Sequence, residues 1–226
     1  MEDERIIKPI AYIKSDFNEK FGIPRQSGLS PSSEALVIFT PEFRDPAALR
    51  EIERYNYLWL IFDFSKAHTQ KFSPTVRPPR LGGNTRVGVF ATRSPFRPNS
   101  LGLSSVKLLG VEKNDEYGVY LRVGGADILN GTPIYDVKPY IKYCDMHIDA
   151  HGGFSDGNAP APLKVVFTEK TKSVLPEDKK IALEECLAQD PRPAYDEDGE
   201  IYKMKFFNRD VTFTVSGGVL TVTEIE

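Results

Sequence analysis

The sequence predicts a mainly β protein of the α+β class, with an N-terminal β-barrel domain and a smaller C-terminal α+β domain. Six or seven short apolar segments separated by turn-forming residues fill the first part of the chain, which is typical of a barrel or sandwich and not of βαβ units. Apolar periodicity then stops across DMHIDAHGGFSDGNAPAP, at residues 145–162, and further elements follow. We therefore assign residues 1–145 to the barrel domain, 146–162 to a linker and 163–226 to the small domain.

The first elements of the barrel domain are strands with one short helix between them. Residues 9–15 alternate apolar and polar side chains and predict a strand, and residues 35–40 predict a second. Asp45 followed by Pro46 carries the signature of a helix N-terminus, which predicts a short helix to about Arg54. Residues 57–64, YLWLIFDF, are apolar at nearly every position and predict a strand buried on both faces.

The remaining elements complete both domains. In the barrel domain we predict strands at residues 87–91, 103–111, 117–123 and 134–138, with Asn114-Asp115 in the turn of a hairpin. In the small domain we predict a strand at 163–168, a helix from Pro176 to about Gln189, and strands at 201–207, 211–215 and 219–223. Gly217-Gly218 joins the last two as a hairpin. A domain this small is expected to lean on its larger neighbour.

Composition predicts a soluble, cytoplasmic protein. The hydrophobic and charged fractions, 40% and 27%, are ordinary for a globular chain. The start, MEDERIIK, lacks the features of a signal peptide, and the most apolar run, YLWLIF, is too short to span a bilayer, so no membrane partner is expected. Cys144 and Cys186 are the only cysteines, too few for a disulfide framework, and we interpret each as a packing residue.

The net charge of −3 hides a strong asymmetry along the chain. Residues 64–111 contain no Asp or Glu and carry eight Lys and Arg, so the rest of the chain carries −11, since −3 minus 8 is −11. An ordinary solvated surface mixes both signs. Arginines set among prolines and glycines offer forked donors that suit phosphate or carboxylate, so we expect an anionic partner.

Signatures of several other site types are missing from the sequence. It contains no G-x-G-x-x-G after a strand, no G-x-x-x-x-G-K-[ST] and no G-x-S-x-G, so a Rossmann enzyme, a nucleotide hydrolase and a serine hydrolase are not supported. His147 and His151 have the spacing of metal ligands but lie in the glycine-rich linker without a third ligand. We therefore predict no metal.

Four loops hold an unusual density of directional groups. They are IPRQSG at 23–28, RPPRLGGN at 77–84, TRSPFRPNSLG at 92–102 and ADILNGTPIYDVKPY at 126–140. Proline restricts the backbone and glycine lets it approach a ligand, so such loops can present rigid donors and acceptors. Each loop alone can be a tight turn, but four in one domain, three with arginine, favour a binding site on a rigid scaffold.

These motifs resemble those of one known family. GVFATRSPFRPNSLGLS, TVRPPRLGGN, DILNGTPIYDVKPY and AQDPRPAY are similar to motifs of the TrmO family, and the resemblance runs from about Lys8 to the C-terminus. Its members are tRNA adenine-N6-methyltransferases that use S-adenosylmethionine on a β-barrel. The resemblance implies methylation of N6 of threonylcarbamoyladenosine at position 37 of threonine tRNA. It also implies a homodimer with the cofactor pocket near the subunit interface.

The resemblance implies a set of cofactor contacts. They are Pro24, Arg25, Gln26, Ser65, Lys66, Arg93, Leu103, Asp127, Ile128, Leu129 and Asn130. Relatives have His-Gln where this chain has Ser65-Lys66, so this contact is open, and His68 or a backbone group can replace it. Chemically, Arg25 or Arg93 can pair with the cofactor carboxylate, and Asp127 can accept from its ammonium or ribose. Leu103 can pack on the adenine face.

The basic segment suits the anticodon stem-loop of a tRNA, whose phosphates bind arginines and whose loop bases can be splayed out. The candidate RNA contacts are Arg77, Arg80, Arg86, Arg97 and Arg192. Whether Arg97 instead holds its own loop in place is left open.

No catalytic residue is assigned, because methyl transfer depends on positioning and desolvation and does not demand a strong base. Asp190 and Tyr195 are candidate proton acceptors, and the alternative is that Asp190 and the prolines after it simply end a helix. Two other functions stay open at this point: a non-catalytic RNA-binding barrel, and a methyltransferase for another RNA or a small molecule.

Overall fold

The computed structural model describes residues 5–69, 71–78, 81, 84–156, 161–193 and 198–226. The strands in these ranges are β1 (Ala11–Lys14), β2 (Glu34–Phe39), β3 (Tyr57–Asp63), β4 (Thr75–Val76), β5 (Val87–Gly88), β6 (Leu101–Asn114), β7 (Gly118–Gly124), β8 (Pro133–Pro139), β9 (Lys164–Phe167), β10 (Ile201–Phe206), β11 (Arg209–Ser216) and β12 (Val219–Ile225). The helices are α1 (Lys142–Asp145) and α2 (Glu177–Ala188). The prediction of a mainly β protein is confirmed.

Six strands form a closed barrel in the order β1-β2-β7-β6-β3-β8. All neighbours are antiparallel, and β8 pairs with β3 on one side and with β1 on the other. Alternate side chains point inward, so that apolar residues from every strand meet in one core cluster that includes Ile13, Val37, Leu60, Val106 and Ile134.

Strand β3 differs from its prediction in one detail. Its burial alternates, with Leu58, Leu60 and Phe62 buried and Trp59 and Ile61 only half-buried. The prediction that both faces are buried is wrong, because the outer face of an antiparallel barrel strand is only partly covered.

Two other predicted elements differ in kind. Asp45 does cap the next turn, accepting from the Ala47 N–H at 2.8 Å, but the segment forms two 3₁₀ turns, Pro46–Leu49 and Ile52–Arg54, and no α-helix. Glu51 lies between them with φ of 71°, a left-handed conformation that interrupts a helix. The strand predicted at 87–91 is two residues long and continues into the 3₁₀ turn Val89–Ala91.

The predicted hairpins are confirmed. The Asn114 carboxamide accepts from the Tyr117 N–H at 2.7 Å in the turn between β6 and β7. Gly217 and Gly218 have φ of 56° and 78°, as a two-residue turn between β11 and β12 requires.

The C-terminal strands form a second sheet with the order β10-β11-β12-β9, in which only the β12–β9 pair is parallel. Helix α2 follows its prediction closely, with Pro176 at its N-cap and Gln189 at its C-cap. Leu183 and Leu187 on this helix pack with Phe213 and Leu220 of the sheet in a second core cluster. Phe17, from the loop after β1, belongs to that cluster as well.

The segment between β1 and β2 joins the barrel to the C-terminal sheet and α2. Glu185 of α2 accepts from the Ser32 N–H and hydroxyl, both at 2.8 Å, and Lys179 pairs with Asp16 at 2.7 Å. Gly22 has φ of 85°, and a Cβ there would lie 2.3 Å from the Met204 methyl. This junction matters for function because the same segment continues into the predicted IPRQSG loop.

The two cysteines occupy different environments. Cys186 is buried in the second core cluster, and burial raises the pKa of its thiol to about 11. Cys144 is exposed, so its interpretation as a packing residue is wrong. Within the described ranges, no helix is long and apolar enough to cross a membrane.

Candidate functional site

A cavity of about 660 Å³ opens at one end of the barrel. Four segments line it: residues 20–26 after β1, the end of β3 and the residues after it, the loop 92–97 with the start of β6, and residues 127–132 after β7. Antiparallel pairing explains why β3 ends where β6 begins, since Asp63 pairs with Leu101 and Leu60 with Ser104. The cavity is thus formed by loops on rigid strand ends.

The structure brings ten of the eleven predicted cofactor residues to this cavity. They are Pro24, Arg25, Gln26, Ser65, Lys66, Arg93, Leu103, Asp127, Ile128 and Leu129. Asn130 is not brought there. Its carboxamide instead donates to Asn18 at 2.9 Å and accepts from the Ser15 N–H at 3.2 Å, which ties the loop after β7 to the loop after β1.

Asp127 provides a carboxylate in the cavity wall. Its Oδ1 accepts from the Ser104 hydroxyl at 2.5 Å. Burial raises the pKa of Asp127, while the Ser104 hydrogen bond and the charge of Arg93 lower it in part. A carboxylate with a net unfavourable environment is suited to accept from a cationic or hydroxyl donor of a ligand.

The apolar wall of the cavity is formed by Leu103 and the rings behind it. Leu103 is 57% exposed although it lies within β6, so its side chain offers free apolar surface. The neighbouring Gly102 is buried, and a Cβ on it would lie 2.2 Å from the Phe62 ring. Phe62 in turn packs edge-on against Phe64, with 5.2 Å between ring centroids. Glycine is therefore required at position 102 for this wall to form.

The residues after β3 combine exposed side chains with an engaged backbone. Ser65 and Lys66 are exposed, and the Lys66 carbonyl accepts from the Lys20 ammonium at 2.6 Å. His68 does not line the cavity. Its Nε2 lies 2.7 Å from Oδ1 of Asp63, a buried residue that does.

The two arginines of the 92–97 loop have different surroundings. Arg93 is exposed, lines the cavity and donates to the Gln26 side chain. Arg97 is half-buried and donates to the Thr92 carbonyl at 3.1 Å and the Ser94 carbonyl at 3.4 Å. Its guanidinium thus closes its own loop, so the geometry favours a structural role for Arg97 over the predicted RNA contact.

The AQDPRPAY loop contacts this site through Arg25. Nη2 of Arg25 donates to the carbonyl oxygens of Asp190, at 3.3 Å, and Arg192, at 3.0 Å. The Asp190 carboxylate is bound by two nitrogens of Arg192, at 2.9 and 3.0 Å, and Arg192 also donates to Asp198 at 3.1 Å. Asp198 in turn accepts from the Gly217 N–H at 2.8 Å.

This network changes the roles expected of its members. The Arg192 side chain is 11% exposed and lines the wider cleft described below, and its hydrogen bond to Asp190 raises its pKa, so its guanidinium is held in an ion pair. Asp190, a candidate proton acceptor, has its carboxylate committed to Arg192. Tyr195, the other candidate, lies outside the described residues, as does Arg80.

A wider cleft of about 1610 Å³ continues from the cavity, sharing Arg25, Gln26 and Arg93 with it. Arg77 and Arg86, two predicted RNA contacts, line this cleft and are exposed. No group of three or more His, Cys, Asp or Glu able to hold a metal occurs in the part of the chain that the structure describes.

Sequence reasoning missed several residues that the cavity contains. Asp63, Lys20 and Ser104 line it but belong to no recognisable loop motif. Of these three residues, Asp63 gave the clearest signal in the sequence, since a lone carboxylate at the end of an apolar strand is unusual. Ser104 offered no signal, because a serine inside a strand has many structural uses.

Comparisons with known proteins agree with the geometry. A family model described as the tRNA-methyltransferase O N-terminal domain matches residues 12–146, and one described as the TrmO C-terminal domain matches residues 160–226. The tRNA (adenine(37)-N6)-methyltransferase of Escherichia coli is 38% identical over 96% of each chain. A Pseudomonas aeruginosa protein named as an S-adenosylmethionine-dependent methyltransferase, RcsF, is 41% identical over 91% of this chain and 90% of its own length.

A solved structure is similar across the whole chain. The crystal structure of TrmO from Pseudomonas aeruginosa superimposes with a TM-score of 0.81 at 33% identity, covering 100% of this chain and 98% of that one. The chain belongs to the TrmO family of tRNA methyltransferases.

Proposed function

We propose that this S-adenosylmethionine-dependent tRNA (adenine-N6)-methyltransferase transfers its methyl group to N6 of threonylcarbamoyladenosine at position 37 of threonine tRNA. The observation that carries the proposal is the convergence of four segments, distant in sequence, on one cavity beside a basic cleft. A cavity of about 660 Å³ lies in the usual range for sites that bind molecules of cofactor size.

The residues of the cavity fit S-adenosylmethionine. The exposed apolar side chain of Leu103 suits one face of an adenine ring. Asp127 can accept from the ammonium or a ribose hydroxyl, because it presents a carboxylate in the cavity wall whose burial raises its pKa and whose charge a cationic donor would stabilise. Arg93 supplies forked donors for a carboxylate at the mouth of the cavity.

The chain's own contribution to the reaction is positioning. The cofactor supplies an electrophilic methyl group on a sulfonium, and its leaving group is a neutral thioether. The cavity walls formed by Phe62, Phe64 and Leu103 hold water away from the reacting atoms, which strengthens the polar contacts around them. Asp127 and Arg93 orient the bound molecule, and orientation of this kind can account for a large part of a rate enhancement.

Three further features of the proposal rest on family resemblance and on packing. The enzyme acts as a homodimer in the cytoplasm, with the cavity near the subunit interface. Residues 1–145 form the cofactor-binding domain, 146–162 a linker and 163–226 a small domain. Two separate core clusters support this division, although Phe17 links the first part to the second cluster.

The test is transfer of a radiolabelled methyl group from S-adenosylmethionine to threonine tRNA purified from a strain that lacks this enzyme. We expect one methyl group per tRNA, located by mass spectrometry on threonylcarbamoyladenosine. The matched control is the same tRNA transcribed in vitro, which lacks that modification and should accept none. Cofactor binding without transfer to the modified tRNA would contradict the substrate. Methylation of another nucleoside in total tRNA would point to another RNA target.

A further inference from the structure

An aromatic surface beside the cavity is not used by the proposed reaction. Phe72, Phe90 and Phe96 are 53%, 72% and 50% exposed, and we call them the aromatic face. The rings of Phe72 and Phe90 stack on one another, with 6.4 Å between centroids and 26° between planes. Clustered exposed aromatic side chains indicate a binding surface, whereas scattered ones do not.

Packing of the surrounding backbone gives no structural reason for aromatic residues at these positions. Strands β4 and β5 pair only with each other within the described residues, through Thr75 with Gly88 and Val76 with Val87. We call residues 71–78 and 84–90 the arm. Val89 anchors it, because its side chain is buried and its N–H donates to the Pro74 carbonyl at 2.9 Å. Packing therefore needs Val89 but not Phe90, since a two-stranded ladder has no core for a ring to fill.

The charge around the aromatic face indicates the chemical class of its partner. Lys71, Arg77 and Arg86 line the same cleft as Phe90 and Phe96, and residues 64–111 contain no acidic side chain. The Arg86 guanidinium is oriented by a 3.0 Å hydrogen bond to the Thr75 hydroxyl. A partner that satisfies both features carries many negative charges and flat apolar faces, which describes unpaired RNA.

The position of the aromatic face relative to the cavity also favours RNA. Phe96 lines both the cleft and the cavity, and the 92–97 loop that carries it is held by Arg97. A base stacked on Phe96 or Phe90 would be close to a nucleotide whose N6 enters the cavity. A duplex would present no free base face at this place, because its bases are stacked on one another.

We propose that the aromatic face stacks on unpaired bases next to the target nucleotide and so selects a single-stranded loop. This inference rests on the proposed function, since it concerns the RNA of the same reaction. Stacking on a protein ring is tolerant of base identity, because every base has a π face. The aromatic face thus recognises the loop structure, and the arginines of the cleft bind its phosphates.

The test compares Phe90→Leu, Phe90→Tyr and the unchanged protein for binding to a fluorescent anticodon stem-loop RNA with the threonine tRNA sequence. The same strand annealed to its complement serves as the duplex probe. We expect Phe90→Leu to weaken stem-loop binding by at least about fivefold and to leave duplex binding and the salt dependence unchanged. Phe90→Tyr keeps a stacking ring and should bind the stem-loop as tightly as the unchanged protein does.

Two control variants make the result specific. Tyr55→Leu removes an exposed aromatic ring that precedes β3, at the opposite end of the strand from the cavity, and should change neither affinity. Arg86→Gln should weaken binding to both probes. It should also lower the slope of log affinity against log salt concentration by about one, as expected for a lost phosphate contact.

Several outcomes would overturn the inference. Unchanged stem-loop affinity in Phe90→Leu, or an equal loss for the duplex, would show that the ring does not stack on unpaired bases. Dissociation of a dimer into monomers by Phe90→Leu in sedimentation would show that a second copy of the chain covers the aromatic face. Failure of the proposed function is read separately, as an absence of methyl transfer from S-adenosylmethionine to the modified threonine tRNA by the unchanged protein.

Discussion

The cavity and the arm, residues 71–78 and 84–90, hold their functional groups in opposite ways. In the cavity, Asp127 is bound by Ser104, Arg93 by Gln26 and Arg25 by two carbonyl oxygens, so each side chain is oriented before a ligand arrives. On the arm, Phe72 and Phe90 are exposed and their rings stack on one another. A small cofactor makes few contacts, so preorganised side chains reduce the cost of binding it. A polymer makes many contacts, and these can order an exposed surface when it binds.

Two glycines give the strongest contrast between these regions. Gly102→Ala places a methyl group 2.2 Å from the buried Phe62 ring, so we expect a loss of about 1–3 kcal/mol of stability and loss of cofactor binding. Gly88→Ala, in the arm, is the matched control, because a Cβ there meets no atom within 4 Å and its φ of −58° suits alanine. Chemical denaturation and calorimetry measure both. Equal stability of the two variants would mean that the cavity wall is as adaptable as the arm.

The pH dependence of cofactor binding tests the buried carboxylate. Because burial raises the pKa of Asp127, the folded protein holds this proton at a pH where the unfolded chain has lost it. Its contribution to stability therefore declines as the pH rises from the ordinary aspartate pKa to the raised one. Cofactor affinity should instead increase with pH. Below the raised pKa it should fall about tenfold for each pH unit, since only the carboxylate accepts from an ammonium.

Asp127→Asn is the control for that prediction. It should bind cofactor weakly at neutral pH and lose the acid dependence seen in the unchanged protein by calorimetry. A variant that keeps the same pH profile would assign the titration to another group.

The two arginines of the 92–97 loop should separate binding from structure. Arg93→Ala is expected to weaken cofactor binding by about tenfold or more without changing the melting temperature, because it removes a charged donor at an exposed position. Arg97→Ala is expected to cost about 1–2 kcal/mol of stability, because two carbonyl groups lose their donor. Calorimetry and thermal denaturation on both variants decide the matter, and a reversed pattern would exchange the two roles.

The smallest effect should come from outside the cavity. Asp198→Asn weakens the ion pair that holds Arg192, whose carbonyl accepts from Arg25 in the cavity wall. We expect cofactor affinity to fall by about twofold to tenfold through this indirect coupling. Asp210→Asn is the control, since Asp210 pairs with Lys205 elsewhere on the C-terminal sheet. Identical affinity in both variants would show that the AQDPRPAY loop does not position Arg25.

Sequence reasoning succeeded where local chemistry decides the structure. The Asp45 cap, the hairpins at Asn114-Asp115 and Gly217-Gly218, and helix α2 all depend on a few neighbouring residues. It failed where the chain conformation depends on distant partners. The two-residue strand β5 exists because residues 75–76 lie beside it, and no pattern within residues 87–91 contains that information.

By itself, the sequence determined the class of protein, the charge asymmetry of residues 64–111 and the loop motifs that lead to the cavity. Only the tertiary structure decided which groups in those motifs are available. Arg93 and Arg97 are the same residue type in the same loop and both line the cavity, yet Arg93 is exposed and donates to Gln26, whereas Arg97 is half-buried and donates to the carbonyl groups of its own loop. The physical reason is that a hydrogen-bond donor serves whichever acceptor the fold brings to it, and sequence does not record that distance.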